Sequence, residues 1–433
     1  AGYVTFASQT GTFQSENLNI GASTNVATIA GNSTVTTLPA GGRYDFSNHN
    51  FYGQANQECM YAANGVGKAF EWTGTVLTPI TTGQASDTPR HIAVYRNHLF
   101  LAFDGGSIIC SSTGEPLTYD ATPGAFEGAI GQDPTGLLDS ASSALVVFAR
   151  NKTLVLNGDD SANFVLSTLA SDAGAIRWTA QLVGSPIYMD DGGIRDMNTT
   201  SAFGDWKIGA ITKLVDPLLD AKRRQNAVPV ASVRVRGRDQ YRMFFSDGSG
   251  LAIYFGRKNP EIMPLNLGKV VQACCSSEDG DGNEIMFFGD ASGWVYQIDS
   301  GNSFDGEPVQ AFVRFAFNHL GTPQQYKRFH KITLELDGTS QSTIGLTAEF
   351  SYANPDQPPV QEQTFAVFGG GGFWNEGAWN EIFWSAPAEG LAEAHLAGIG
   401  RNISVAVLSE ATDEAPHTLH GMTINYSDRG MQR

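Results

Sequence analysis

At 433 residues the chain is long enough for two or three separately cored domains, and its 41% hydrophobic content excludes intrinsic disorder. A formal charge of −17, from 44 acidic and 27 basic residues, argues against a protein that grips nucleic acid through its phosphates, which needs clustered Lys and Arg. No apolar run approaches the roughly 20 residues of a membrane helix, and no signal-peptide pattern opens the chain.

Residues 1–43 are rich in Ser, Thr, Asn, Gly and Ala, with weak alternation at Tyr3–Phe6 and Val26–Ile29. They are expected to form an arm or edge strand lying on a neighbouring subunit, or else a flexible tail. Because the sequence starts at Ala1, removal of an initiator Met or a longer leader is expected.

Hairpins follow. Met60-Tyr61 and Phe70 flank Asn64-Gly65, and Leu99–Phe103 and Ile108–Cys110 flank Asp104-Gly105-Gly106. Leu145–Phe148 and Leu154–Leu156 flank Arg150-Asn151-Lys152, and Ile187–Met189 and Ile194 flank Asp190–Gly193. The sharpest is Tyr241–Phe255. Tyr241, Met243 and Phe245 alternate with Arg242 and Phe244, Asp247-Gly248-Ser249-Gly250 reverses the chain, and Leu251, Ile253 and Phe255 resume the alternation. With Val233 and Val235 upstream, three consecutive antiparallel strands are expected. Met286–Tyr296 aligns with Met243–Ile253 without a gap.

Turns at residues 64, 104, 150, 190, 247 and 290 stand 40, 46, 40, 57 and 43 residues apart. A repeating unit of this size with several strands in each marks a β-propeller, here of about six blades over residues 44–300. A long antiparallel sandwich is the alternative. The one long step holds a helix: Asp216-Pro217 starts it, and Lys222-Arg223-Arg224 complement its negative C-terminal end. Those three cations are a solvated last turn or a docking contact for an acidic neighbour.

Ser300–Pro308 reads as a linker into a C-terminal β-sandwich or jelly-roll-like domain over 301–433. Its strands are expected at 309–317, 329–336, 344–352, 364–368, 403–408 and 419–426. An insertion at 369–384 carries four glycines, then Phe373, Trp374 and Trp379. These aromatics are either interface anchors or cover for the sandwich. The chain is thus all-β.

Chemical motifs are sparse. Nucleophile-elbow, zincin, Walker and dinucleotide-binding patterns are missing from the sequence, and the eight histidines are scattered. Cys59, Cys110, Cys274 and Cys275 lie in apolar strand segments without C-x-x-C spacing, so reduced, buried thiols and assembly in a reducing cytoplasm are expected. Glu278–Glu284 opens like a calcium loop, but Glu284 occupies the glycine position and the twelfth-position Glu is missing, so a plain hairpin loop is expected. A glycan-cleaving propeller would need carboxylates and arginines converging at the channel mouth, with Asp190, Asp191, Arg195 and Arg234 as the candidates. No catalytic residue, cofactor or metal is expected.

Tyr52-Gly53-Gln54-Ala55-Asn56, Met60–Gly65 and Ala69–Gly74 resemble the first blades of bacteriophage tail propeller proteins. So do His98–Leu101 followed by Cys110-Ser111-Ser112, and Gln240–Phe245 with its Asp-Gly turn. The family is the hub, or nozzle, of short-tailed phages. The resemblance covers roughly 44–300 by motif and implies a structural virion protein assembled in the host cytoplasm. It implies a homo-oligomeric ring of six that contacts the adaptor ring and the fibres or needle and retains DNA. That DNA later passes through the lumen without tight binding. The family brings no catalytic residues. A carbohydrate-binding or glycan-cleaving propeller is the alternative function.

Overall fold

The alternating stretches fold as antiparallel strands in the computed structural model, which describes residues 17–20, 23–28, 37–55, 57–120, 124–140, 144–198, 211–256, 260–338, 341–353, 362–368, 389–411 and 416–430. The chain divides into Ala1–Ile298 and Asp299–Arg433.

In the first unit a two-stranded hairpin, β1 (Asn17–Ile20) and β2 (Ser23–Thr28), precedes six consecutive sheets. Blade 1 holds β3 (Asp45–His49), β4 (Cys59–Ala63), β5 (Phe70–Trp72) and β6 (Leu77–Pro79). Blade 2 holds β7 (Pro89–Tyr95), β8 (His98–Phe103), β9 (Ser107–Cys110) and β10 (Phe126–Ala129). Blade 3 holds β11 (Pro134–Ser140), β12 (Ala144–Ala149), β13 (Thr153–Asn157) and β14 (Val165–Ala170). Blade 4 has three strands among the described residues, β15 (Gln181–Val183), β16 (Ser185–Asp190) and β17 (Gly193–Asp196). Blade 5 has four, β18 (Pro229–Val235), β19 (Gln240–Phe245), β20 (Ser249–Tyr254) and β21 (Glu261–Asn266). Blade 6 has three, β22 (Ala273–Glu278), β23 (Glu284–Gly289) and β24 (Val295–Ile298).

Each sheet is an up-and-down meander in chain order, and the first strand of each touches the first strand of the next. This is a β-propeller whose first strands line the axis. Each hairpin read from the sequence falls in a different blade.

Middle strands are apolar at nearly every position because both faces are covered. In β8, Leu99, Leu101 and Phe103 enter the core shared with blade 1, while Phe100 enters the core shared with blade 3. In β12, Leu145, Val147 and Ala149 face blade 2, and Val146 and Phe148 pack with Tyr188 of blade 4. Each such Leu, Val or Phe side chain contributes roughly 1.5–3 kcal/mol by leaving water.

The gapless match between blades 5 and 6 fails on the return strand. Met243 pairs with Leu251 across a tight turn, whereas Met286 pairs with Ile298. Gly248 takes φ +86° in the tight turn, and Ala291 stands in its place. The blade 6 turn therefore widens to Asp290–Trp294, where Asp290 Oδ1 accepts from Ser292 N (2.9 Å) and Trp294 N (3.0 Å) and Gly293 takes φ +88°. Trp294 aligns with buried Leu251 and is 67% exposed.

The helix α1 spans Asp216–Arg224. A 3-10 turn at Ile211–Val215 leads into it and covers the outer edge of blade 4, where Ile194 N donates to Thr212 Oγ1 at 3.0 Å. Ile211, Leu218 and Leu219 join the core between blades 4 and 5.

The second unit is a β-sandwich. One sheet runs β25 (Val309–Arg314), β30 (Ile403–Ala411), β27 (Gln341–Phe350), β28 (Gln363–Phe368); the other runs β29 (Glu389–Gly400), β26 (Lys327–Gly338), β31 (His417–Asp428). Phe329, Ile332, Leu334 and Leu336 from one sheet meet Ile344, Leu346, Phe350, Val405 and Val407 from the other. β29 is an additional strand beyond the six expected. The 369–384 insertion, with Phe373, Trp374 and Trp379, lies outside the described residues.

Candidate functional site

Where the first strands begin, groups from five blades converge on the axis. Arg43, two residues before β3, donates from Nη1 to the carbonyl of Val230 in blade 5, and its guanidinium lies over the Trp178 ring at 4.1 Å. Burial lowers the Arg43 pKa, and the neighbouring Cys274 of blade 6 and Asp45 of blade 1 partly offset this. Asp45 Oδ2 stands 3.0 Å from His91 Nδ1 of blade 2, and the His91 ring lies 5.1 Å from that of Trp178. Only the axis is common to blades 1, 2, 4, 5 and 6. The cluster is therefore an axial plug at this end of the channel.

Trp178 precedes β15 in a turn pinned by its own blade and by blade 5. Thr179 Oγ1 donates to Ile176 O (2.6 Å) and accepts from Met189 N (3.2 Å), and Tyr241 Oη donates to Thr179 O (2.7 Å). Trp178 itself takes φ +66°, a left-handed conformation that costs a bulky residue on the order of 1–3 kcal/mol. Ser232 Oγ donates to its carbonyl at 2.8 Å, and Gln181 Nε2 donates to Ser232 O at 3.1 Å. Five hydrogen bonds thus brace the turn that carries the indole lying under the Arg43 cation. His91 is 1% exposed and its Nε2 has no hydrogen-bond partner among the described residues.

Around this plug the hairpin tips are tied by ion pairs. Asp104 of blade 2 accepts Arg90 at 2.9 Å and Arg177, beside Trp178, at 3.3 Å; Arg90 above all holds its carboxyl below the usual range. Arg150 of blade 3 pairs with Asp191 of blade 4 at 2.5 Å. Lys222 of α1 pairs with Asp247 of blade 5 at 2.5 Å. Gly65 is required at its tip: φ is +75°, and a Cβ there would approach Arg90 Cζ to 2.9 Å.

The residues singled out in the sequence are distributed as follows. Lys222 is spent inside the chain, on Asp247; Arg223 pairs with Asp220 at 2.7 Å, and Arg224 Nε donates to Asp220 O at 3.3 Å. Asp190 and Arg195 are buried against each other within the blade 4 hairpin, so neither is presented at a channel mouth. Arg242 is buried, and Arg236 pairs with Glu278 (2.5 Å) and Glu284 (3.7 Å). Asp279 caps its own loop through Asp281 N and Asn283 N (2.9 and 2.8 Å), and no metal-holding group of His, Cys, Asp or Glu occurs among the described residues. All four cysteines are free thiols. Cys59 and Cys110 are buried, Cys274 is half-buried, and Cys275 is exposed, contrary to expectation. Adjacent strand residues face opposite ways, and the Cys275 face of blade 6 is open.

Sequence reasoning missed the axial residues. Arg43 and Trp178 precede the first strands of blades 1 and 4, and Asp45 and His91 lie near the starts of their first strands. Aligning the repeats on these entry positions would have found them. Also missed was Glu71, buried in blade 1, which accepts from Tyr61 Oη at 2.7 Å and Tyr52 Oη at 2.9 Å. Burial first, then Glu71, pushes both phenols above their ordinary range, so they remain donors.

Comparison with known proteins adds a distant likeness of fold. No family model and no curated protein matches. Among solved structures, the chain is similar to BBS1N in its complex with ARL6DN, soaked with mercury: 14% identity, TM-score 0.41, over 60% of this chain and 79% of that one. It is also similar to a chain of the Mitotic Checkpoint Complex: 10% identity, TM-score 0.37, over 56% and 74%. Among the described residues, no helix is long and apolar enough to cross a membrane.

Proposed function

We propose that this protein is a structural subunit of a bacteriophage tail, of the hub or nozzle type, that assembles into a ring, retains packaged DNA and lets it pass on ejection. The observation that carries the reading is the axial plug. A propeller whose axis is filled by Arg43, Trp178, Asp45 and His91 offers its own channel neither to a substrate nor to DNA. It serves as a braced block, and a DNA path would run through the lumen of the assembled ring, outside each propeller. The tail motifs at 52–74, 98–112 and 240–250 supply the choice of assembly. Phe373, Trp374 and Trp379 remain candidate subunit contacts in this reading, and Arg223 and Arg224 are weaker ones.

Light scattering coupled to size-exclusion chromatography, with negative-stain images of the same fractions, tests the proposal. A closed ring, six-membered in the family, is expected. A monomer at tens of micromolar that binds or cleaves a glycan would replace this reading with the carbohydrate one.

A further inference from the structure

Blades 1, 2, 3 and 5 are closed on the outside by a fourth strand, and the blade 4 edge is covered through Thr212. Blade 6 ends at β24. After Ile298 the chain leaves the sheet, and the next strand, β25, pairs with β30 of the sandwich. At this edge Val295 is 70% exposed and Trp294 67%, above the other large hydrophobic residues described. An uncovered strand edge with apolar side chains seeks a partner strand.

Chain direction says which segment fits. In blades 1, 2, 3 and 5 the outermost strand runs back to the face where the next blade's first strand begins. A fourth strand on blade 6 must therefore lead into the first strand of the blade beyond it, which in a closed ring is β3. The segment leading into β3 is the N-terminal one. Its last described part is already placed: Arg43 is fixed to Val230 of blade 5 and lies beside Cys274, on the innermost strand of blade 6. From β22 to a slot outside β24 is three strand spacings, about 14 Å. The 14 residues from 29 to 42 reach up to about 46 Å when extended. Upstream of them, β1 and β2 already form strands and pair with no other strand among the described residues; β2, Ser23–Thr28, has the six-residue length of β8, β19 and β20.

We propose that the β1–β2 hairpin of the same chain adds to β24 through β2, antiparallel, as the fourth strand of blade 6. Main-chain hydrogen bonds then satisfy the open edge, and the hairpin covers Trp294 and Val295. The ring of blades is thereby latched by its own N-terminus, independently of the virion reading.

Hydrogen exchange followed by mass spectrometry on the full chain tests this. Peptides covering 295–298 should exchange about tenfold or more slowly than the loop at 279–283, and Val26→Pro, which removes a donor from β2, should abolish the difference. A second variant lacking residues 1–36 should show the same loss, with β19 and β20 still protected as the control for folding. Equal exchange at 295–298 in wild type and both variants overturns the proposal. Protection that appears only at concentrations where the chain self-associates overturns it too, by assigning the strand to a second copy.

Discussion

Among single residues, the thiols give the sharpest chemical contrast. Burial pushes Cys110 and Cys274 up to about 12, and it also raises Cys59. At pH 8 a thiol of pKa 12 is roughly one part in ten thousand thiolate, whereas an ordinary one is about a quarter ionised. A thiol-reactive dye should therefore label exposed Cys275 first, half-buried Cys274 far more slowly, and Cys59 and Cys110 only on unfolding. Rapid labelling of Cys110 would mean that the blade 2 core opens readily. Arg43 is the residue on which the plug depends. A half-buried cation–π contact and a charged hydrogen bond to a carbonyl together stabilise by about 2 kcal/mol. Arg43→Ala should lower the unfolding free energy by that amount, and Arg43→Lys, which keeps the charge but not the planar stack, should lose less. An Arg43→Ala protein that melts like wild type would show that the plug is not a clamp.

At the level of elements, α1 is seated by Leu218 and Leu219 in the core and tied to blade 5 by one ion pair. Burial works against ionisation of Asp247, but bonds from Lys222 and Ser249 outweigh it and hold the carboxyl at about 2. Because this lies below the unfolded value of about 3.9, the stabilisation is complete above pH 4 and is lost as pH falls towards 2. With the partial exposure of both groups allowed for, it amounts to about 1 kcal/mol. Asp247→Asn should thus unfold more easily than wild type at pH 7, and urea unfolding at a series of pH values should show the two converging below pH 4. A constant gap down to pH 2 would place the effect in the turn rather than in the charge.

Elements also differ in how far the sequence disclosed them. Two-sided apolar strands such as β8 and β12, and the Asp-Gly turns between strands, are written in period and turn chemistry. α1 was equally plain from Asp216-Pro217 and its basic end. β29 was not: Leu391-Ala-Glu-Ala-His-Leu-Ala397 is built from good helix formers, and only the sandwich core at Ala392, Ala394 and Leu396 makes it a strand. The widened turn at Asp290–Trp294 escaped for a different reason. Sequence similarity aligns letters, while one Gly-to-Ala difference decides how many residues the turn needs. The axial site was the least legible part, since Arg43 and Trp178 are 135 residues apart in the chain and meet only when the ring closes.

For the whole molecule, the acidic balance sets an expectation for DNA. A ring of six would carry roughly −100, so its wall gains nothing from counterion release and repels a duplex within about 8 Å at physiological salt. Arg236 and Arg242 are already engaged within the fold and do not reverse this. Fluorescence anisotropy with a short duplex at about 150 mM salt should show no submicromolar binding. Tight binding with a steep salt slope would mean a basic lumen and remove the low-friction passage from the proposal.

The Arg43–Val230 bond spans 187 positions of the chain. During synthesis at about 5–20 residues per second, Arg43 waits some 10–40 s on the ribosome before its acceptor exists. Blades 1 to 4 can each form from local contacts in that interval, but the nascent domain is an open fan with a cation and an unstacked indole at its hub. Slowing translation between residues 180 and 230 would lengthen that exposed stage without altering the finished protein. Yield, rather than stability, is the property of this protein most sensitive to codon choice in that stretch.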